Sequence, residues 1–61
     1  MKTLLSLEYM EIGNILTDGE NEYKVLNISG PLVWISQPNN FESGKGRYTI
    51  QDLTSMNLQF K

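Results

Sequence analysis

Residues able to do chemistry are few in this chain, and they fall in three places. Asp18, Glu20 and Glu22 bring three carboxylates close together, the raw material for general acid–base work. The stretch Asp18-Gly19-Glu20-Asn21 is also a turn signature, because glycine accepts positive φ and Asx side chains bond nearby backbone. Solvent surrounds such a turn, and no pocket is evident beside it. The trio therefore reads as a solvated acidic patch that could steer a basic partner. It lacks the ligand spacing of an EF-hand. The second place, Gly44-Lys45-Gly46-Arg47, has the glycines and cations of a phosphate cradle. No Ser or Thr follows its lysine and no long helix follows to supply a dipole, so the cradle is incomplete.

The third group is Trp34, Phe41, Lys45, Arg47 and Tyr48, aromatic rings interleaved with cations. Single-stranded nucleic acid stacks on such a mixture, and Trp, Tyr and Arg also dominate protein–protein hot spots. Two cations neutralise few phosphates, and the net charge of −2 opposes a nucleic-acid partner. With no histidine and no cysteine in 61 residues, Ser-His-Asp and Cys-His constellations are excluded, as are the usual zinc sites and any disulfide. The chain reads as non-enzymatic, with no cofactor, no metal and no evident small-molecule substrate.

Charge is unevenly spread. Residues 1–23 carry Glu8, Glu11, Asp18, Glu20 and Glu22 against Lys2, whereas residues 24–61 carry Lys24, Lys45, Arg47 and Lys61 against Glu42 and Asp52. The opening "MKTLLSLEYM" has a lysine followed by leucines, but Ser6 and Glu8 interrupt it and no small-residue cleavage site follows. No apolar run reaches the length of a membrane span. A cytoplasmic location is the expectation.

These residues must be positioned by a single small domain covering 1–61. Its composition favours strand: alanine is absent, while Ile, Val, Thr, Tyr, Phe and Trp supply 17 residues. Leu5-Ser6-Leu7-Glu8-Tyr9 alternates apolar and polar and predicts a strand, part of an N-terminal strand or arm over 1–10. Gly13-Asn14 breaks it from Ile15-Leu16-Thr17. Glu22 to Ile28 predicts the clearest strand, and its apolar phase slips between Val25 and Leu26, which calls for a bulge or for cover on both faces. Ser29-Gly30-Pro31 turns the chain into a further strand, Leu32 to Ser36. Gln37 to Gly46 reads as a long structureless loop, functional or mobile, and Tyr48 and Ile50 resume a short strand. Thr49 and Asp52 have capping-box spacing, predicting one helical turn over Gln51–Ser55 before a last strand with Leu58 and Phe60.

The sum is an all-β meander of five to six strands, expected to curl into a closed barrel because open edges invite aggregation. With one helical turn before the last strand, residues 10–61 resemble the SH3-like barrel. The progression "EIGNIL…EYKVLNISG…YTIQDL" is also similar in style to small bacteriophage-encoded proteins. The Ala-Leu-Tyr-Asp-Tyr and Pro-x-Asn-Tyr segments of peptide-binding SH3 domains are missing, so proline-rich ligand binding is not implied.

In Leu32-Val33-Trp34-Ile35, compact Val33 and Ile35 suit a tight interior. Leu32 and Trp34 then fall on the outer face, to be covered by Leu4–Met10, by a second copy of the chain, or by a target. With the phase inverted, Trp34 and Tyr48 instead belong to the core, Phe41 plugs the barrel end, and Lys45 and Arg47 solubilise the loop. The expected function is a non-enzymatic module that binds another protein, such as a phage-type modulator of a host factor. Leu32, Trp34 and Phe41 would be its anchors and Arg47 and Tyr48 its rim, with Asp18, Glu20 and Glu22 steering. A single-stranded nucleic-acid-binding barrel and a structural homodimer are the alternatives.

Overall fold

The computed structural model describes residues 5–61. Five strands, β1 (Ile15–Thr17), β2 (Glu22–Ser29), β3 (Leu32–Gln37), β4 (Asn40–Thr49) and β5 (Gln59–Phe60), form one antiparallel sheet. A six-residue helix, α1 (Ile50–Ser55), lies between β4 and β5. The sheet order is β4-β3-β2-β1-β5. The expected closure into a barrel is not present. Helix α1 stands between the last two strands, β5 has only two residues and pairs with β1, and the sheet keeps two edges.

The N-terminal segment also departs from expectation. Of the expected arm over 1–10, residues 1–4 lie outside the described residues. Leu7–Tyr9 is a 3₁₀ turn rather than a strand. The Ser6 side chain accepts from the Glu8 N–H and caps it, an option open to serine that alternation alone does not reveal. Leu7 then joins Leu5 against the core, while Tyr9 is left 65% exposed.

Turn chemistry sets the β2–β3–β4 meander. Gly30 takes φ +56° as the first residue of the two-residue turn that Pro31 completes, as a II′-type hairpin requires. At the next corner Pro38 is followed by Asn39 at φ +57°, and Gln37 faces Asn40 across the turn. The Asn39 amide reaches further: Glu22 N–H donates to Asn39 Oδ1 at 2.9 Å and Asn39 N–H donates to the Glu22 carbonyl at 2.8 Å. The hairpin tip is thereby tied to the start of β2.

Helix α1 begins where the capping-box spacing put it. Asp52 N–H donates to Thr49 Oγ1 and Thr49 N–H donates to Asp52 Oδ2, both at 3.1 Å. It ends in a Schellman arrangement. Asn57 takes φ +61° and donates to the Thr54 carbonyl, while Leu58 N–H donates to the Leu53 carbonyl. That stop turns Leu58 back onto the protein, and both Leu53 and Leu58 are buried.

The core lies on one face of the sheet. Met10, Leu16, Tyr23, Val25, Val33, Ile35, Leu53 and Leu58 form it, ringed by half-buried side chains that include Ile28, Tyr48 and Phe60. Ser36 is the buried polar residue beside it, and it is satisfied: its hydroxyl accepts from Lys24 N–H at 2.8 Å and donates to the Gln37 carbonyl. No helix among the described residues is long and apolar enough to cross a membrane.

Candidate interaction surface

Pairing across an antiparallel sheet puts opposed side chains on the same face. Val33 is opposite Ile28 and Tyr48, and all three look toward the core. One residue along, the phase reverses. Trp34 stands between Asn27 on β2 and Arg47 on β4, and Leu32 stands between Ser29 and Thr49. Val33 and Ile35 are fully buried, whereas Leu32 and Trp34 are half-buried on the other face. The alternation read in Leu32–Ile35 is therefore the arrangement in the fold.

Three of the five expected binding residues, Leu32, Trp34 and Arg47, come together on this outer face of the central strands. Phe41 shares a strand with Arg47 but sits toward its opposite end, 39% exposed. Tyr48, expected at the rim, lies on the other face and packs against the core, because it neighbours Arg47 on a strand whose side chains alternate. Residues 5–10 do not supply cover for Leu32 and Trp34: Leu5, Leu7 and Met10 pack on the core side. Leu4, the first residue of the expected cover, lies outside the described residues.

The stretch read as a loop over Gln37–Gly46 is instead the last residue of β3, a two-residue turn and most of a ten-residue strand. Its sequence hid this for a physical reason. β4 is an edge strand whose residues are mostly exposed, so no apolar alternation marks it. Its pairing with β3 is broken twice: the register shifts between Ile35 and Ser36, leaving Lys45 extra, and again before Gln37, leaving Phe41, Glu42 and Ser43 extra. Gly46 adopts φ +139° beside the first shift. The Lys45 ammonium reaches to 5.8 Å from the ring centroid of Tyr23, two strands away, so the sheet curls at this end.

Leu26 belongs to the same surroundings and was not singled out in the sequence. It is half-buried, stands outside the core, and its Cδ1 would lie 3.7 Å from a Cβ placed on Gly44. The register shift between Val25 and Asn27 puts it there, and the slipped apolar phase of β2 was the available signal.

The acidic group at the β1–β2 turn is largely committed to structure. Asp18 accepts from the N–H groups of Asn21 and Glu20, at 2.7 and 2.8 Å, and these bonds hold its carboxyl below the ordinary value. Glu22 is ion-paired with Lys61. Glu20 is left exposed at the tip. Among the described residues no group of three or more acidic side chains is gathered as a metal centre requires. The concave features lie elsewhere: a cleft of about 430 Å³ between the β1–β2 turn and β5 is lined by Thr17, Asp18, Gly19, Asn57, Gln59 and Phe60. None of the outer-face residues contributes to it.

No protein family, curated protein or solved structure matches this chain.

Proposed function

We propose that this chain is a non-enzymatic interaction module that binds another protein through the outer face of β3 and β4. One observation carries the reading: Trp34 is held outside the core, on a central strand, with Arg47 directly across from it. A small domain gains most from its tryptophan by burying it. Trp34 instead stays partly exposed beside a guanidinium, and Trp and Arg are both enriched among the residues that dominate binding energy at interfaces. Leu32 and Leu26 extend the apolar area, and Arg47 and Asn27 border it.

The finer reading is SH3-like. A meander, one short helix and a last strand laid beside the first support it, with the sheet opened at one seam. A small phage-type modulator of a host factor, working in the cytoplasm, is the biological setting proposed with it. The absence of histidine and cysteine supports a non-catalytic role.

The test is binding to a partner captured from host lysate by wild type, repeated with Trp34→Ala and Arg47→Ala after circular dichroism confirms each fold. Loss of the partner with both variants supports the reading. Unchanged capture by Trp34→Ala overturns it. Two further measurements separate the alternatives. A Trp34 fluorescence change with oligonucleotides that collapses as salt rises would make the face a nucleic-acid platform. Concentration-dependent sedimentation abolished by Trp34→Ala would make the partner a second copy.

A further inference from the structure

We propose that Asp18-Gly19 is a site of spontaneous covalent modification which the folded β1–β2 turn suppresses, so that isoaspartate forms at residue 18 only in molecules whose turn has opened. The site goes beyond the reading of the Trp34 face, and none of that face's residues takes part.

The reaction needs no catalyst. The Gly19 amide nitrogen attacks Cγ of Asp18. The N–Cγ bond forms as the Cγ–OH bond breaks, and the hydroxyl leaves with the amide proton as water. The product is a succinimide ring, and water then adds back to either of its carbonyls. Breaking the N–Cγ bond restores aspartate. Breaking the bond from nitrogen to the main-chain carbonyl carbon leaves the chain running through the Asp18 side chain, one methylene longer. Glycine is the permissive successor, since it has no side chain to shield the nitrogen, and nothing stands within 4 Å of where a Gly19 Cβ would be. This is the one Asp-Gly pair in the chain, and there is no Asn-Gly.

The fold engages the groups that must react. Gly19 N–H donates to Thr17 Oγ1 at 3.0 Å, so the peptide plane cannot rotate its nitrogen onto Cγ without breaking that bond. Thr17 Oγ1 is itself anchored, because it donates to the Asn21 carbonyl at 2.9 Å, and Asp18 N–H reaches the same carbonyl. Asp18 Oδ1 accepts from Asn21 N–H at 2.7 Å and Glu20 N–H at 2.8 Å, which holds the side chain in place. The same bonds keep the carboxyl below its ordinary value, and an ionised carboxylate has no hydroxyl to lose. Release of the turn therefore requires local opening next to β1, a strand of only three residues. The change is one-way: an added methylene moves the carboxylate off the Asn21 and Glu20 N–H groups, and the turn cannot close as before.

The test follows isoaspartate at residue 18 by peptide mapping during incubation of the intact protein at neutral pH, with and without urea. In urea it should accumulate about tenfold or more faster than in native buffer. Thr17→Val keeps the branched shape and removes the hydroxyl, and it should raise the native-buffer rate severalfold. Thr17→Ser keeps the hydroxyl and should hold the wild-type rate. Ile35→Ala weakens the core away from the turn, so its rate should rise only as far as its unfolded fraction, measured by circular dichroism. Equal rates with and without urea overturn the proposal, as does no isoaspartate in either. A folded Thr17→Val that ages no faster than its unfolded fraction explains also overturns it. Should Thr17→Val fail to fold, the wild-type comparison decides.

Discussion

Trp34 and Arg47 face each other across the β3–β4 ladder on the side of the sheet away from the core. Their neighbours in sequence, Val33, Ile35 and Tyr48, face the opposite way. Core-facing and outward-facing side chains therefore alternate along the same strands, residue by residue.

That division predicts the ranking of two truncations. Ile35→Ala empties part of a fully buried site and should cost about 3 kcal/mol. Trp34→Ala removes a larger side chain from the outer face and should cost only about 1 kcal/mol. Urea unfolding of both variants checks the order; the reverse order would make Trp34 a structural residue.

Ser36 should be far less replaceable than its size suggests. Its hydroxyl takes the Lys24 N–H, so Ser36→Ala leaves that donor without its acceptor and should cost about 1–3 kcal/mol. Equilibrium unfolding gives the magnitude, and faster amide exchange at Lys24 identifies the broken bond.

The two glycines flanking Lys45 should behave differently. Gly46 holds φ +139°, so Gly46→Ala strains the backbone and should destabilise by more than about 1 kcal/mol. At Gly44 an added Cβ meets Leu26 Cδ1 at 3.7 Å, an ordinary contact. Gly44→Ala should be neutral or stabilise by about 0.5 kcal/mol through the unfolded chain. Thermal unfolding of the pair separates them.

Acid should reveal the β1–β2 turn. The Asn21 and Glu20 N–H groups hold the Asp18 carboxyl below its ordinary value of 3.8. A lowered folded-state value supports the fold fully above the ordinary value, and that support is lost as pH falls through the folded one. Asp18→Asn keeps an acceptor oxygen and removes the titration. Its stability should run parallel to wild type above about pH 5 and fall less steeply in more acidic solution. Thermal unfolding against pH tests this, and parallel curves throughout would clear Asp18 of the acid limb.

Much of the fold could be read where local chemistry leaves little choice. Gly30-Pro31, the Asp18–Asn21 turn and the Thr49–Asp52 box each satisfy backbone groups within a few residues, so tertiary context had nothing to override. The phase slip at Val25-Leu26 announced the β2 bulge, and Val33 and Ile35 announced their face. What could not be read depended on partners distant in sequence. β4 is a strand because β3 lies beside it, and its glycines, asparagine and charges carry no alternation of their own. Leu5–Tyr9 alternates, yet Ser6 bends it into a 3₁₀ turn that sends Leu5 and Leu7 to the same core. Barrel closure failed as an inference because the edges are handled by other means: β4 by bulges and cations, β5 by brevity. Leu32, Trp34 and Arg47 share the outer face, whereas Tyr48, next to Arg47 on β4, takes the core side; reading the stretch before it as a loop hid the alternation that separates them.

The seam between β1 and β5 has a consequence for how this molecule comes apart. It consists of a three-residue strand, a two-residue strand and one further bond, from Lys61 N–H to the Ile15 carbonyl. The β2–β3–β4 meander is longer and more deeply interlocked. Fraying should start at the C-terminal stitch and release α1, with the Trp34 face the last region to lose its shape. A target gripping that face would hold a chain whose opposite margin is already unzipping, and its grip would outlast partial melting.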